Sequence, residues 1–148
     1  MNRLAFALEV LEQEPWLPTP LLQAQVMGNR LGVELWLKRE DCTPVGSFKL
    51  RGALVAAASR ADQITDTGVY CSTAGNYGLA IATACKRQGI KASIVMPEWA
   101  NPSKVERMQL LGAEIIKHSD DGDVAKDFAK SIASQNGAPF WEDGVIEE

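Results

Sequence analysis

Short apolar runs alternate with helical patterns along the last two thirds of this chain, and no other feature constrains its fold as strongly. The segments between the runs place apolar residues at helical spacing. Strands joined through helices of this length are parallel, because each connection crosses back over the sheet. We therefore expect a three-layer αβα fold with an open, twisted, mainly parallel four-stranded sheet. The expected strands cover residues 68–72, 92–96, 114–117 and 139–141.

Helices are predicted before and between these strands. Asn101 is a suitable N-cap and Pro102 suits the first helical position, so one helix is expected to begin there. Gly89, Gly112 and Asn136-Gly137 follow predicted ends, as is common at helix C-termini. The predicted helices are one that ends near residue 61 and three more over about 76–88, 102–111 and 123–135.

The first part of the chain lacks this alternation. Leu4, Leu8 and Leu11 lie at helical spacing with glutamates between them. Three prolines then favour an extended backbone, and Gly32 is expected to end a short helix. The predicted elements are a helix over 3–13, an extended segment over 14–22, a helix over 21–31 and an alternating apolar–polar strand over 33–38.

The overall charge and the cysteines narrow the classes of function. The net charge is −4 and the pI is about 5.1, so no basic surface favours nucleic acid or an anionic membrane. The three cysteines and the single histidine lack a recognisable zinc spacing, and no metal site is expected. Glutamates interrupt the N-terminal apolar residues, which argues against a signal peptide, and no stretch is long enough to span a membrane. We therefore expect a cytoplasmic protein.

Lys49 lies in the opening turn of an alanine-rich helix, directly after a turn formed around Pro44 and Gly46. The start of a helix carries partial positive charge, which disfavours protonation of an amine placed there. A neutral lysine can attack a carbonyl and form a Schiff base. Most lysines are solvated, however, and the motif alone does not separate a reactive Lys49 from a solvated one.

The segment from Ser72 to Gly78 joins a predicted strand directly to a helix start. In an open α/β sheet, ligands bind at the loops that follow the strands. Small residues let the backbone amides approach an anion, so a carboxylate or phosphate site is expected here. The alternative is an ordinary N-cap, in which Ser, Thr or Asn side chains satisfy the helix amides without a ligand. The loop is neither GxGxxG nor GxxxxGK[ST], which disfavours a nucleotide.

Together, these segments resemble a known family. The segment from Lys38 to Ala53 is similar to the lysine motif of the threonine/serine dehydratases, which belong to the fold type II (tryptophan synthase β-like) pyridoxal-phosphate-dependent enzymes. The segment from Ser72 to Gly78 resembles that family's Ser-x-Gly-Asn loop, at the expected distance downstream. Thr19-Pro20-Leu21 is similar to its early Thr-Pro-Leu, and the resemblance extends from there to the end of the chain.

The resemblance implies pyridoxal 5′-phosphate as the cofactor and a role for each residue that matches a family motif. Lys49 would form the Schiff base with the cofactor and then transfer the substrate's protons. Phe48 would pack beside the cofactor, and Asn76 would hydrogen-bond its ring oxygen. The loop residues that would bind the substrate carboxylate are Ser72, Thr73, Ala74, Gly75, Asn76 and Tyr77.

The implied reaction is an α,β-elimination, in which serine or threonine loses its β-hydroxyl and becomes a 2-oxo acid and ammonia. Tyr77 stands where many relatives have histidine, so the preferred substrate stays open. Ala74 stands where the family's racemases carry a second catalytic serine, which disfavours racemisation. β-Replacement, racemisation and a non-catalytic carboxylate- or phosphate-binding module remain as alternatives.

The chain is much shorter than members of that family. It contains no run of three or four glycines, which the family uses as a phosphate cup. We therefore predict that it is the N-terminal part of an enzyme, poorly active or inactive alone, and that the whole enzyme is a homodimer or higher homo-oligomer. Residues 1–36 would be an arm that normally packs on the absent larger domain. Residues 37–148 would be the small cofactor- and substrate-binding domain.

Overall fold

The computed structural model describes residues 2–61, 64 and 66–144, and the chain forms two compact units. The first unit covers Met1–Phe48 and the second Lys49–Glu148. The arm predicted over residues 1–36 lies within this first unit. Its last residue, Trp36, begins a strand over residues 36–38 that pairs with residues 21–23.

The first unit begins with helix α1, Arg3–Glu12, whose N-cap Asn2 accepts a hydrogen bond from the Leu4 amide at 3.0 Å. This confirms the helix predicted over 3–13. The elements that follow are strand β1 (Leu21–Gln23), helix α2 (Gln25–Leu31), strand β2 (Trp36–Lys38) and a 3₁₀ turn (Glu40–Cys42).

The helix predicted over 21–31 is wrong at its start. Residues Leu21–Gln23 form β1, which pairs antiparallel with β2, so that Leu21 lies opposite Lys38. The partner strand lies further along the chain, and helical spacing within 21–31 cannot reveal it. Helix α2 therefore begins only at Gln25, and it ends at Gly32, whose φ of 68° is left-handed as predicted. Strand β2 is also shorter than the predicted 33–38.

The second unit alternates helices and strands as the sequence predicts. Helix α3 begins at Lys49, and Asn101 caps α5 by accepting a hydrogen bond from the Ser103 amide at 2.9 Å. The elements are α3 (Lys49–Arg60), β3 (Val69–Ser72), α4 (Asn76–Gln88), β4 (Ala92–Met96), α5 (Pro102–Leu110), β5 (Glu114–Lys117) and α6 (Gly122–Gln135).

The described residues form a three-stranded parallel sheet in the order β3-β4-β5, whereas four strands were predicted. The fourth segment lies beside β3 but makes only one parallel bridge, between Tyr70 and Phe140. The Tyr70 amide donates to the Pro139 carbonyl at 2.9 Å, and the Trp141 amide donates to the Tyr70 carbonyl at 2.7 Å. Pro139 has no amide hydrogen, so it cannot extend this ladder as a donor.

Helices cover both faces of the sheet, which confirms the α/β layering. Val95 of β4 packs with Ala125 and Ala129 of α6 on one face. Strand residues alternate between faces, so Ile94 and Met96 lie on the other, where both are fully buried. Helices α4 and α5 pack against the sheet, and α3 packs against α4.

Candidate active site

The loop after β3 lies at the carboxyl end of the parallel sheet, where such folds bind ligands. The Thr73 amide donates to the Val95 carbonyl at 3.0 Å, which holds the loop against β4. The Thr73 hydroxyl accepts a hydrogen bond from the Gly75 amide at 3.0 Å. The loop backbone is therefore held by bonds of its own before α4 begins at Asn76.

No described side chain caps the N-terminus of α4, where Gly75 is the N-cap residue. The Thr73 hydroxyl bonds the amide of Gly75 itself rather than an amide of the first helical turn. The first amides of a helix have no partner within it, and they attract negative charge. This arrangement supports the anion-binding interpretation of the loop over an ordinary side-chain cap.

Gly78 allows the first turn of α4 to approach its neighbours closely. A Cβ atom at this position would lie 2.8 Å from both the Met108 Cε and the Thr73 Cγ2 atoms. The lack of a side chain at Gly78 therefore serves packing between α4, α5 and the loop. The sequence placed this glycine in the ligand-binding motif but did not reveal its contact with Met108.

Lys49 is the first residue of α3, as the sequence predicts. Its Nζ atom lies 2.6 Å from Oδ1 of Asp143, and the two side chains are 31% and 42% exposed. This contact holds the end of the Lys49 side chain beside the Asp143 carboxylate. Sequence reasoning did not single out Asp143, because 94 positions separate it from Lys49 and neither local spacing nor the lysine motif points to it.

The turn that precedes Lys49 is stabilised by its own hydrogen bonds. The Thr43 hydroxyl donates to the Ser47 carbonyl and accepts from the Ser47 amide, both at 2.9 Å. Gly46 has a φ of 68°, which favours glycine, and its amide donates to the Thr43 carbonyl at 2.9 Å. Phe48, predicted to pack beside a cofactor, ends the first unit with a side chain that is 59% exposed.

The early Thr-Pro-Leu motif contacts the beginning of the lysine motif within the first unit. Thr19 is buried, and its hydroxyl donates to Oε1 of Glu40 at 2.8 Å. The Lys38 Nζ atom donates to the Thr19 carbonyl at 2.6 Å. These bonds link two segments that the sequence analysis identified separately.

Tyr77 is half-buried at the start of α4. Burial raises the pKa of its phenol, the negative charge of Asp143 raises it further, and the positive charge of Arg60 acts in the opposite direction. The phenol therefore stays protonated and neutral. Asp143, whose charge acts on the pKa of Tyr77, also forms the ion pair with Lys49.

The other predicted loop residues lie together in the same segment. Ser72, Thr73, Ala74 and Gly75 are half-buried, and Asn76 is exposed. Across the part of the chain that the structure describes, no group of three His, Cys, Asp or Glu side chains could hold a metal ion. No helix among the described residues is both long enough and apolar enough to cross a membrane.

Comparison with known proteins agrees with this geometry. Residues 13–145 match the family model described as "Pyridoxal-phosphate dependent enzyme". The chain is 41% identical over 122 residues to threonine dehydratase 1 of Solanum lycopersicum, covering 82% of this chain and 20% of that protein. It is 36% identical over 122 residues to the biosynthetic L-threonine dehydratase of Haemophilus influenzae, covering 82% of this chain and 24% of that protein. The chain thus spans about a fifth to a quarter of the length of these relatives.

Solved structures show the same fold. The processed threonine deaminase isoform 2 of Solanum lycopersicum superposes with a TM-score of 0.82 at 29% identity, covering 95% of this chain and 39% of that one. Maize serine racemase superposes with a TM-score of 0.85 at 28% identity, and the match covers 95% of this chain and 43% of the racemase chain. The diaminopropionate ammonia lyase of Escherichia coli superposes with a TM-score of 0.89, and the match covers 99% of this chain and 46% of the lyase chain. At 23% identity, this likeness supports the fold alone. The match over most of its length, together with the threonine dehydratase relatives, shows that this chain belongs to the family of pyridoxal-phosphate-dependent enzymes of fold type II.

Proposed function

We propose that this chain carries the lysine and the carboxylate-binding loop of an enzyme that deaminates threonine or serine to a 2-oxo acid and ammonia. The observation that carries the proposal is the placement of Lys49 at the start of α3, in the same unit as the uncapped N-terminus of α4. Threonine dehydratases, at 41% and 36% identity, support this reaction class.

The chemistry of these side chains fits pyridoxal phosphate, on which the family depends. The cofactor carries an aldehyde, and Lys49 offers a primary amine that can bind it covalently. Asn76 offers an amide N–H₂ to the ring oxygen, and Phe48 offers an apolar ring. When bound, the cofactor supplies an electron sink that stabilises negative charge on the substrate's α-carbon.

The residues of this chain would bind the substrate and move its protons. Amides at the start of α4 and the hydroxyls of Ser72 and Thr73 would hold the carboxylate and orient the α-carbon. The Lys49 amine would accept the α-proton, since a lysine that has lost its proton is a general base. Loss of the β-hydroxyl and addition of water then give the 2-oxo acid and ammonia.

The alternatives differ at identifiable residues. Ala74 has no hydroxyl and cannot transfer a proton, which disfavours racemisation despite the structural likeness to maize serine racemase. A non-catalytic module would bind a carboxylate or phosphate through the α4 N-terminus but would not need Lys49. β-Replacement would require a second nucleophile in addition to the amino acid.

Covalent capture of the cofactor tests the role of Lys49. We expect the chain to bind added pyridoxal phosphate weakly and slowly, and borohydride reduction to fix the cofactor on the peptide that contains Lys49. Peptide mass spectrometry locates the adduct, and a Lys49→Ala variant should lose it. The exposed Lys91 provides the matched control, because a Lys91→Ala variant should keep the adduct on Lys49. Equal cofactor retention by the parent and the Lys49→Ala variant would exclude the assignment.

A hybrid enzyme tests the reaction itself. The matching residues of a tomato threonine dehydratase would be replaced by this chain, and 2-oxo acid formation from L-threonine and L-serine measured with a coupled dehydrogenase. We expect 2-oxo acid formation that disappears in Lys49→Ala. A hybrid that folds and binds the cofactor but releases D-serine alone would identify a racemase. Release of no 2-oxo acid from either amino acid would contradict the proposal.

Location and assembly belong to the same proposal. We propose a cytoplasmic enzyme that assembles as a homodimer or higher homo-oligomer and whose partners are small amino acids rather than nucleic acid or membranes. The acidic pI of about 5.1 supports the absence of a nucleic-acid partner. The tomato relative is named as chloroplastic, so cell fractionation is the measurement that decides the compartment.

A further inference from the structure

We propose that Asp143 is a positioning residue, which holds the amine of Lys49 in place and restrains it until the cofactor binds. The inference rests on the proposed function, in which Lys49 binds the cofactor. Its direct evidence is the 2.6 Å distance between the Lys49 Nζ and Asp143 Oδ1 atoms. No sequence motif had assigned Asp143 a role.

The segment that contains Asp143 is anchored to the sheet. Its backbone forms the bridge to Tyr70, through the Trp141 amide at 2.7 Å and the Pro139 carbonyl at 2.9 Å. Trp141 is only 3% exposed, and the Arg60 guanidinium lies 5.8 Å from the centre of its ring. The backbone two residues before Asp143 is therefore fixed by both hydrogen bonding and burial.

Side chains of this segment contact two different helices. Phe140 packs with the cluster around α6, and Glu142 pairs with Lys126 and Lys130 of the same helix. Trp141 lies beside Arg60 and Asp143 beside Lys49, the last and first residues of α3.

The ion pair restrains the reaction that Lys49 has to perform. The Nζ atom that has to attack the aldehyde is the atom that lies 2.6 Å from Asp143 Oδ1, so it has to leave this carboxylate before it can react. Both members of the pair are partly exposed, so the restraint is modest and salt weakens it.

Residue-specific acylation measures the restraint without the cofactor. The chain would be treated at low salt and neutral pH with a limiting amount of an acetylating ester, and the acetylated fraction of each lysine read by mass spectrometry. Lys91, which is exposed, serves as the internal reference. In Asp143→Asn we expect acetylation of Lys49, relative to Lys91, to be about two- to fivefold faster than in the parent, the range for a partly exposed pair.

Matched variants separate restraint from a merely structural effect. Asp143→Glu keeps the carboxylate and should restore slow acetylation of Lys49. Glu106→Gln removes one exposed carboxylate from α5 and should leave the Lys49 rate unchanged. High salt should raise the rate more in the parent than in Asp143→Asn, because the variant has lost the pair with Asp143 that salt screens. Circular dichroism would verify that the variants are folded.

The outcomes also distinguish this inference from the proposed function. If folded Asp143→Asn acetylates Lys49 at the parent rate, Asp143 does not restrain the amine and the inference fails. If acetylation accelerates as expected but the cofactor never attaches to Lys49, the ion pair stands and the proposed function fails. If both hold, Asp143→Asn should also capture pyridoxal phosphate about two- to fivefold faster than the parent.

Discussion

Gly78 lies where the first turn of α4 passes the side chain of Met108. The space at this position is smaller than a methyl group, because the Met108 Cε and Thr73 Cγ2 atoms both lie 2.8 Å from the Cβ position. Methionine can adjust its rotamer, but the β-branched Thr73 cannot move easily, and its hydroxyl bonds Gly75. A side chain here would therefore disturb the loop as well as the helix packing.

We expect Gly78→Ala to lower the free energy of unfolding by about 1–3 kcal/mol, the cost of overpacking a buried contact. Chemical denaturation monitored by circular dichroism provides the measurement. Gly52 in α3 is the matched control, since nothing lies within 4 Å of its Cβ position. Gly52→Ala should raise the free energy of unfolding by about 0.5–1 kcal/mol, because alanine favours a helix interior. A stabilised Gly78→Ala would contradict the packing described here.

The segment from Pro139 to Gly144 shows how one element connects distant parts of the second unit. It makes a single bridge to β3, and its side chains reach α6 on one side and α3 on the other. Glu142 accepts hydrogen bonds from Lys126 and Lys130, which lie one turn apart on α6. Hydrogen bonds from these two lysines lower the pKa of the Glu142 carboxyl.

Acid should therefore loosen this segment. A carboxyl whose pKa is lower in the folded state contributes stability above its unfolded value, about 4.3 for glutamate. That contribution is lost as the pH falls through the lower folded value. The protection factor of the Trp141 amide, which bonds Tyr70, should therefore fall below about pH 4.3, when the observed exchange rate is compared with the intrinsic rate at the same pH.

Glu142→Gln is the matched variant, because it cannot titrate. At neutral pH its Trp141 amide should exchange faster than that of the parent, and acid should then reduce the protection factor of this amide by less than in the parent. A parent and variant with the same dependence on pH would show that the Glu142 pairs do not hold the segment.

At the scale of the whole molecule, the residues proposed to bind the cofactor and the substrate belong to several elements. In the second unit they come from the start of α3 and from the loop between β3 and α4, which are joined through the packing of α3 on α4. A ligand that binds only the folded chain stabilises it by mass action. Cofactor binding should therefore be visible as a change in global stability.

We expect pyridoxal phosphate to raise the free energy of unfolding of this chain, by about 2.7 kcal/mol when its concentration is 100 times its dissociation constant. Denaturation with increasing cofactor measures the effect. Lys49→Ala should lose most of the increase, and Lys91→Ala should keep it. An equal increase in all three proteins would indicate general modification of surface lysines instead of a site at Lys49.

Much of this fold could be read from local patterns in the sequence. Apolar spacing and capping residues predicted the helices of the second unit and three of its strands, because hydrogen bonds within a helix and burial of a strand depend on nearby residues. Lys49 was correctly expected at a helix start, and the Ser72–Gly78 loop at the end of a strand. These features specify the α/β layers and the chemical groups offered at one end of the sheet.

Contacts between distant residues could not be read in this way. The pairing of Leu21–Gln23 with Trp36–Lys38 replaced a predicted helical turn, and the strand predicted over residues 139–141 makes only one bridge. Asp143 meets Lys49 because Tyr70 anchors the segment between two helical layers. Local sequence therefore specified Lys49 and its helix, because capping and helical spacing involve neighbouring residues. Long-range packing placed the Asp143 carboxylate beside Lys49, because the two residues are 94 positions apart and meet only in the folded chain.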